Sequence, residues 1–282
     1  MKYLGYSNVG GSWAGKPADV KPWTNLYIAW ADYGYWTTGL TPAQWRAKMA
    51  AGVKKAVDLG QNIYVGLNGQ ADVDMTSDSV NAVLDLMAPY WAFVVAVDIA
   101  DEPAWTKQQL KANLIKARKL IAAKGLASKP CGVTLTTYQS TQVSHSPSDA
   151  LITAGGAAGP DFVALECYVD RFTQDKGQAK NLAEVTIFIT ESRENAPVTA
   201  HFWYWLQGFN RNGAFPNEDN LAALQFPSYK LGRDDFRYRT DGYLIFNWGR
   251  MTGVGKVGSL WLPKVVAQHK RIWTDMKTRG DV

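Results

Sequence analysis

Residues 93–103 read Phe-Val-Val-Ala-Val-Asp-Ile-Ala-Asp-Glu-Pro, an apolar run that closes on Asp101, Glu102 and Pro103. A run this short and rich in valine, stopped by proline, reads as a buried strand. Alternation puts Ala96, Asp98, Ala100 and Glu102 on one side and Val95, Val97 and Ile99 on the other. The bulky side suits packing against helices. The small and acidic side suits the axis of a barrel, with Asp98 inside it and Glu102 at the rim.

Working outward from this segment, similar β-rich runs occur at 3–9, 26–30, 63–67, 133–138, 162–169, 186–190 and 243–248, which makes eight in all. Helical patterns lie between them. Thr41-Pro42-Ala43-Gln44 forms a capping box with proline at the first helical position, followed by Trp45, Met49, Val53 and Val57, with Gly60 as a stop. A second helix starts at Thr106, carries Leu110, Leu114, Ala117 and Ile121 on one stripe, and stops at Gly125. Ser146-Pro147 opens another. The last begins at Pro263 with Val265, Val266, Ile272 and Trp273 inward. Eight short strands alternating with helices in 282 residues predict a single-domain α/β fold, a (β/α)8 TIM barrel over 1–282. A doubly wound open sheet is the rival architecture. The stretch 211–241 is the least periodic and is expected to be an elaborated connection between strands 7 and 8.

In such a barrel the chemistry gathers at the C-terminal ends of the strands. Glu102 ends strand 4. The sixth run places Glu166, Tyr168 and Asp170 inward, and the run at 186–190 leads to Glu191 and Arg193. Asp32 follows strand 2, Asn68 strand 3, Tyr138 strand 5 and Trp248 strand 8. Two carboxyls across a rim are the equipment for glycoside hydrolysis: one protonates the leaving oxygen, the other attacks the anomeric carbon or activates water. Asp98, deeper in the barrel, reads as a structural hydrogen-bonding group.

These motifs resemble the clan-A glycoside hydrolases, retaining (β/α)8 enzymes. That clan carries Asn-Glu-Pro after strand 4, where this chain has Asp101-Glu102-Pro103. The resemblance implies Glu102 as acid/base, Glu191 as nucleophile, Tyr168 beside the nucleophile and Trp248 as a sugar platform. The chain departs from the clan at Asp101 and in having Glu166 on strand 6. Asp101 and Glu166 are therefore possible catalytic partners, and Glu102 with Glu166 is an alternative pair. Asp32, Trp36, Asn68, Tyr138, Asp170 and Arg193 are expected to line the subsites. Chitinase-family barrels form a second resemblance through Tyr168-Val169-Asp170 and Trp248, but Ala100 stands where they have an aspartate.

The partner expected is a polysaccharide or cell-surface glycan, bound by a hydrolase or by a non-catalytic carbohydrate-binding barrel in a larger assembly such as a virion or cell surface. The net charge of +5, with no run of five like charges, gives no support to nucleic-acid binding. No apolar stretch reaches 18 residues, so a membrane span is not expected, and the N-terminus has no signal-peptide pattern. No metal or cofactor is expected: His145, His201 and His269 have no metal-ligand spacing. Cys131 and Cys167 should lie at opposite ends of the barrel and not pair. Gly253-Val-Gly255-Lys-Val-Gly258 matches a dinucleotide pattern but leaves too little chain for the rest of that unit, and reads as a rim loop. Among 12 tryptophans, the run Phe202-Trp203-Tyr204-Trp205 is read as helical. No single helix face holds four consecutive residues, so part of the run must meet a loop, a partner or a ligand.

Overall fold

The computed structural model describes residues 1–7, 17–30, 41–67, 78–101, 105, 107–135, 159–167, 178–194, 201–211, 218–234, 239–246, 256–258 and 262–282. Ten strands are present among them: β1 (Tyr3–Ser7), β2 (Leu26–Trp30), β3 (Asn62–Gly66), β4 (Val94–Asp101), β5 (Cys131–Leu135), β6 (Phe162–Glu166), β7 (His201–Gln207), β8 (Phe209–Arg211), β9 (Arg239–Phe246) and β10 (Lys256–Gly258). The helices are α1 (Pro17–Val20), α2 (Pro42–Asp58), α3 (Asp78–Met87), α4 (Lys107–Ala123), α5 (Gln178–Glu194), α6 (Glu218–Arg233) and α7 (Pro263–Thr278). Strands β1 to β7 and β9 pair in parallel and close, β9 returning to β1. The chain is a (β/α)8 barrel.

The helix signals act as their residues require. Thr41 caps α2 through a reciprocal bond with Gln44, and Met49 and Val53 are fully buried beneath it. Gly60 and Gly125 stop α2 and α4 with φ of 73° and 68°, a conformation that costs glycine nothing. Leu110, Leu114, Ala117 and Ile121 of α4 are buried, as are Val265, Ile272 and Met276 of α7. Ser146-Pro147 lies outside the described residues.

One strand assignment is overturned. Residues 186–190 are not a strand but the middle of α5. Their Thr-Ile-Phe-Ile-Thr composition favours β structure locally, yet the buried positions among the described side chains are Val185, Phe188, Ile189, Ser192 and Arg193. That is helical spacing, and packing of this stripe overrides local propensity. The seventh strand is instead the aromatic run. In β7, Trp203 and Trp205 enter the barrel interior while Phe202, Tyr204 and Leu206 pack against the helical layer. The surroundings that four consecutive aromatics demanded are thus the two sides of one buried strand. The stretch 211–241 holds α6, the return helix between β7 and β9, and β9 begins at Arg239.

The interior is filled largely by rings. Leu26, Ile28, Trp30, Tyr64, Phe162, Trp203, Trp205, Leu244 and Phe246 form one buried cluster. Tyr3 stacks on Trp203 with centroids 5.6 Å apart, and Trp30 stacks on Trp205 at 5.8 Å. Rings of this size fit because glycine stands beside them. Gly5, Gly66, Gly132 and Gly242 are the register partners of Leu26, Trp30, Phe162 and Trp203. A Cβ at any of the four would collide with its partner. Each large side chain takes the space its neighbour gives up, which keeps the interior at protein density.

Candidate active site

Above the ring-filled floor, the inward positions at the C-terminal ends of the strands turn polar. Asp98 and Asp101 come from β4, Thr134 from β5, Glu166 from β6 and Gln207 from β7.

Asp98 is fully buried. Its Oδ2 accepts from Tyr64 Oη at 2.5 Å and from Thr134 Oγ1 at 2.5 Å, and its Oδ1 accepts from the Ala100 amide at 3.2 Å. Thr134 in turn accepts from Trp205 Nε1 at 3.1 Å. The network joins four strands and matches the structural role read for Asp98. Burial outweighs these donors and pushes the carboxyl up to about 7. Burial also raises the Tyr64 phenol well above its usual range, with the charges of Asp98 and Asp101 adding to it.

The expected alternation of β4 breaks after Asp98. The strand advances three residues, Asp98 to Asp101, while β5 advances two, Gly132 to Thr134. This irregularity brings Asp101 into register with Thr134 on the inner face, where strict alternation would have turned it outward. Glu102 lies immediately beyond, outside the described residues.

Glu166, the last residue of β6, is 5% exposed and in register with Trp205. Gln207 ends β7 in register with Phe246, is 2% exposed, and donates from Nε2 to the Phe209 carbonyl at 3.1 Å. The tip of the true seventh strand therefore carries a neutral amide.

Glu191 does not stand at a strand tip. It lies in the last turn of α5, the helix preceding β7, so the placement that made it a nucleophile candidate is corrected. Arg193 is corrected with it. The guanidinium is buried among α5, β7 and α6, where Nε donates to Tyr204 Oη at 2.8 Å and Nη1 to the Leu231 carbonyl at 3.1 Å. Tyr204 faces the helical layer, so Arg193 fastens helices to the outside of the barrel rather than lining the mouth. Asp32, Trp36, Asn68, Tyr138, Tyr168, Asp170 and Trp248 lie outside the described residues.

Thr134 and Gln207 escaped the sequence reading. Gln207 was hidden because β7 was read as helix. The signal was there in the period-two series Trp203, Trp205, Gln207.

The fold can be set beside known proteins at this point. Its structural neighbours are glycoside hydrolases. A GH5_18 protein from Bifidobacterium longum subsp. infantis superposes with a TM-score of 0.64 at 10% identity, covering 98% of this chain and 79% of the other. An endo-β-1,4-glucanase from Xanthomonas axonopodis pv. citri gives 0.62 at 12% identity, over 96% of this chain and 100% of its own. A GH128 endo-β-1,3-glucanase from Amycolatopsis mediterranei gives 0.57 at 13% identity, over 96% and 99%. At such identities the likeness is one of fold. No family model matches the chain, and no curated protein matches it by sequence.

Two thiols are buried, one at each end of the strands, and the second directly follows Glu166. Cys131 begins β5 and Cys167 follows β6, both buried and both free.

Proposed function

We propose that this barrel cleaves a glycan at its C-terminal mouth, with Glu102 as the acid and Glu166 as the second carboxylate. The observation that carries the reading is Glu166 itself: an inward carboxylate on the last residue of β6, at the end of the barrel where this fold does its chemistry. Glu102 follows β4 by one residue, so the two carboxylates leave strands separated only by β5. The glycoside hydrolase neighbours support the reaction class. The positions of Glu191 and Gln207 favour the strand-6 partner over a strand-7 one.

In the proposed reaction Glu102 donates a proton to the leaving glycosidic oxygen. Glu166 either attacks the anomeric carbon or removes a proton from the attacking water. A carboxyl separation of about 5–5.5 Å goes with the first and about 6.5–9.5 Å with the second. Trp205, in register with Glu166, backs the mouth with an apolar wall against which little water competes.

The test is reducing-sugar release from a panel of neutral and acidic polysaccharides by wild type, Glu102→Gln and Glu166→Gln. NMR of the first-formed anomer then assigns retention or inversion. Loss of turnover by about a thousandfold in both variants is expected. Full activity in Glu166→Gln would remove it from the pair. A second reading, a carbohydrate-binding barrel without turnover, draws on the amide at the tip of β7. It predicts glycan binding without release in wild type and in both variants.

A further inference from the structure

The helical layer carries a group of cations that the fold does not neutralise. They lie on α7, whose buried stripe is Val265, His269, Ile272 and Met276. Its other side exposes Lys270, Arg271, Thr274 and Lys277. None of these three cations has an ion pair among the described residues. The described carboxylates of α6, of α7 and of the residues that follow them are engaged elsewhere. Asp219 pairs with Lys264 at 2.7 Å, Asp234 and Asp275 pair with Arg233, and Asp281 pairs with Lys2 and Arg279. Glu218 accepts from the backbone amides of Lys264 and Val265 at the start of α7.

Each of the three cations is held over a ring. Lys270 Nζ is 4.3 Å from the ring centroid of Trp23, Arg271 Cζ is 3.9 Å from that of Phe226, and Lys277 Nζ is 5.3 Å from that of Trp273. The rings come from the short helical turn Lys21–Trp23, from α6 and from α7 itself. Covering an apolar ring takes only the methylene stem of such a side chain, with its head in water. Here the charged heads themselves stand on the ring faces. A ring attracts a cation through its quadrupole but carries no net charge, so the positive charge remains. The ring also fixes the head, which leaves less side-chain freedom to lose when an anion arrives.

We infer that this face of α7 is a docking site, outside the mouth, for an acidic polysaccharide. This rests on the glycan reading of the mouth, which supplies the class of polymer. The spacing and surroundings of the cations select the occupant. Lys270 and Lys277 are seven residues apart, about 10 Å along the helix axis. A DNA duplex places a charge every ~1.7 Å, a far denser row. An acidic polysaccharide spaces its charges by whole sugar units, which is the sparser row that these cations fit. The exposed neighbours Ala267, Thr274 and Thr278 offer no bulky side chain to sink into a bilayer. Trp23, Phe226 and Trp273 lie under cations, so none of the three presents a bare face for stacking a nucleobase. Because α7 follows β9 and runs from the mouth end of the barrel toward the opposite face, a polymer lying along it leads to the mouth.

The test is binding of the whole chain to immobilised polygalacturonate, chondroitin sulfate, laminarin and duplex DNA, measured by surface plasmon resonance at low and high salt. Four proteins are compared: wild type, Lys270→Gln/Arg271→Gln/Lys277→Gln, the charge-keeping Lys270→Arg/Lys277→Arg, and Lys111→Gln/Lys116→Gln/Lys119→Gln, which removes the same charge from exposed positions on α4. Thermal unfolding checks that each is folded. Wild type should bind an acidic polysaccharide, and the glutamine variant of α7 should bind it about tenfold more weakly with a flatter salt dependence. The arginine variant and the α4 variant should match wild type. Equal loss in the α4 variant, an equal loss on neutral laminarin in the α7 variant, tighter binding to DNA that the α7 variant loses, or no binding to either acidic polymer would overturn the assignment. The two readings fail separately. Sugar release with no effect of the α7 variant on binding removes the docking site and leaves the mouth, whereas the expected binding pattern with no sugar release keeps the docking site and removes hydrolysis.

Discussion

Tyr64 donates its phenolic hydrogen to the carboxylate of Asp98 at 2.5 Å, inside a barrel where neither side chain reaches water. The bond ties β3 to β4 beneath the polar mouth. Asp98 binds its proton more tightly in the folded chain than unfolded, moving from 3.8 to about 7. The folded state then holds more protons than the unfolded state between those values. Stability from this group is complete below pH 4 and declines as pH rises to 7, by at most about 1.4 kcal/mol per pH unit. Asp98→Asn should abolish that decline. It should also cost about 1–3 kcal/mol at pH 5, because an amide nitrogen replaces one of the two accepting oxygens. Urea titrations across pH 4–8 measure both effects, and an unchanged pH slope in the variant would contradict the assignment.

His269 works in the opposite direction. It is fully buried between Tyr6 Oη, 2.5 Å from Nδ1, and Gln225 Oε1, 3.1 Å from Nε2. Tyr6 donates to Nδ1 and Nε2–H donates to Gln225, so the ring is held neutral. Burial lowers its pKa from 6.5 to about 3. The folded state now holds fewer protons, so this contribution is complete above pH 6.5 and lost as pH falls toward 3. Between about pH 4 and 6.5 the slopes from Asp98 and His269 oppose each other. His269→Gln should therefore leave the Asp98 decline exposed, and Asp98→Asn should leave a stability that rises with pH. Parallel pH profiles for the two variants would refute this pairing.

The ring-and-glycine pairs predict a reciprocal effect of size. A Cβ at Gly66 falls within the Trp30 ring, so Gly66→Ala should destabilise the barrel by about 1–3 kcal/mol through overpacking. Trp30→Leu alone should cost about 2–4 kcal/mol through the space it leaves. Combined, the two should cost clearly less than their sum, since the methyl then enters vacated space. Strict additivity in the double-mutant cycle would show that the ring does not depend on that glycine.

Burial pushes the Cys131 thiol up to about 12 and raises the Cys167 thiol as well. Thiolate is the reactive form, and neither sulfur meets solvent. The native chain should therefore resist maleimide labelling at neutral pH, and both thiols should label at the rate of unfolding once urea is added. Rapid labelling of the native chain would place at least one thiol at a surface.

Most of the barrel was legible because its strands are short apolar runs and its helices carry strong boundary residues, such as Thr41 with Gln44 and the stops at Gly60 and Gly125. The α5–β7 segment was not. Thr186 to Thr190 has the composition of a strand but the burial period of a helix. Phe202 to Trp205 lacks an amphipathic period because both of its faces are buried. The strand total stayed at eight because one error replaced the other, yet the exchange moved the whole strand-7 site from Glu191 to Gln207. Asp101 is readable as a possible partner, but the geometry that turns it inward leaves no mark in the composition: a register shift after Asp98 places it opposite Thr134, where strict alternation would have put it with Val95, Val97 and Ile99. Glu166 was readable throughout, since Phe162 and Ala164 fix the inner face of β6.

The two placements of the second carboxylate are separated by a single comparison. Glu191 lies in the last turn of a helix that precedes β7, and two residues on Arg193 is buried against Tyr204 and Leu231 outside the barrel wall. Helices of this fold run antiparallel to the strands, so the end of α5 approaches the start of β7, the face opposite the mouth. Glu191→Gln should therefore leave kcat/KM within about twofold of wild type on whichever glycan is cleaved, while Glu166→Gln should lose about a thousandfold. Thermal unfolding of both variants guards against a folding defect, with midpoints expected within a few degrees of wild type. A loss in Glu191→Gln with Glu166→Gln fully active would return the chemistry to residues that this barrel places on its helical layer.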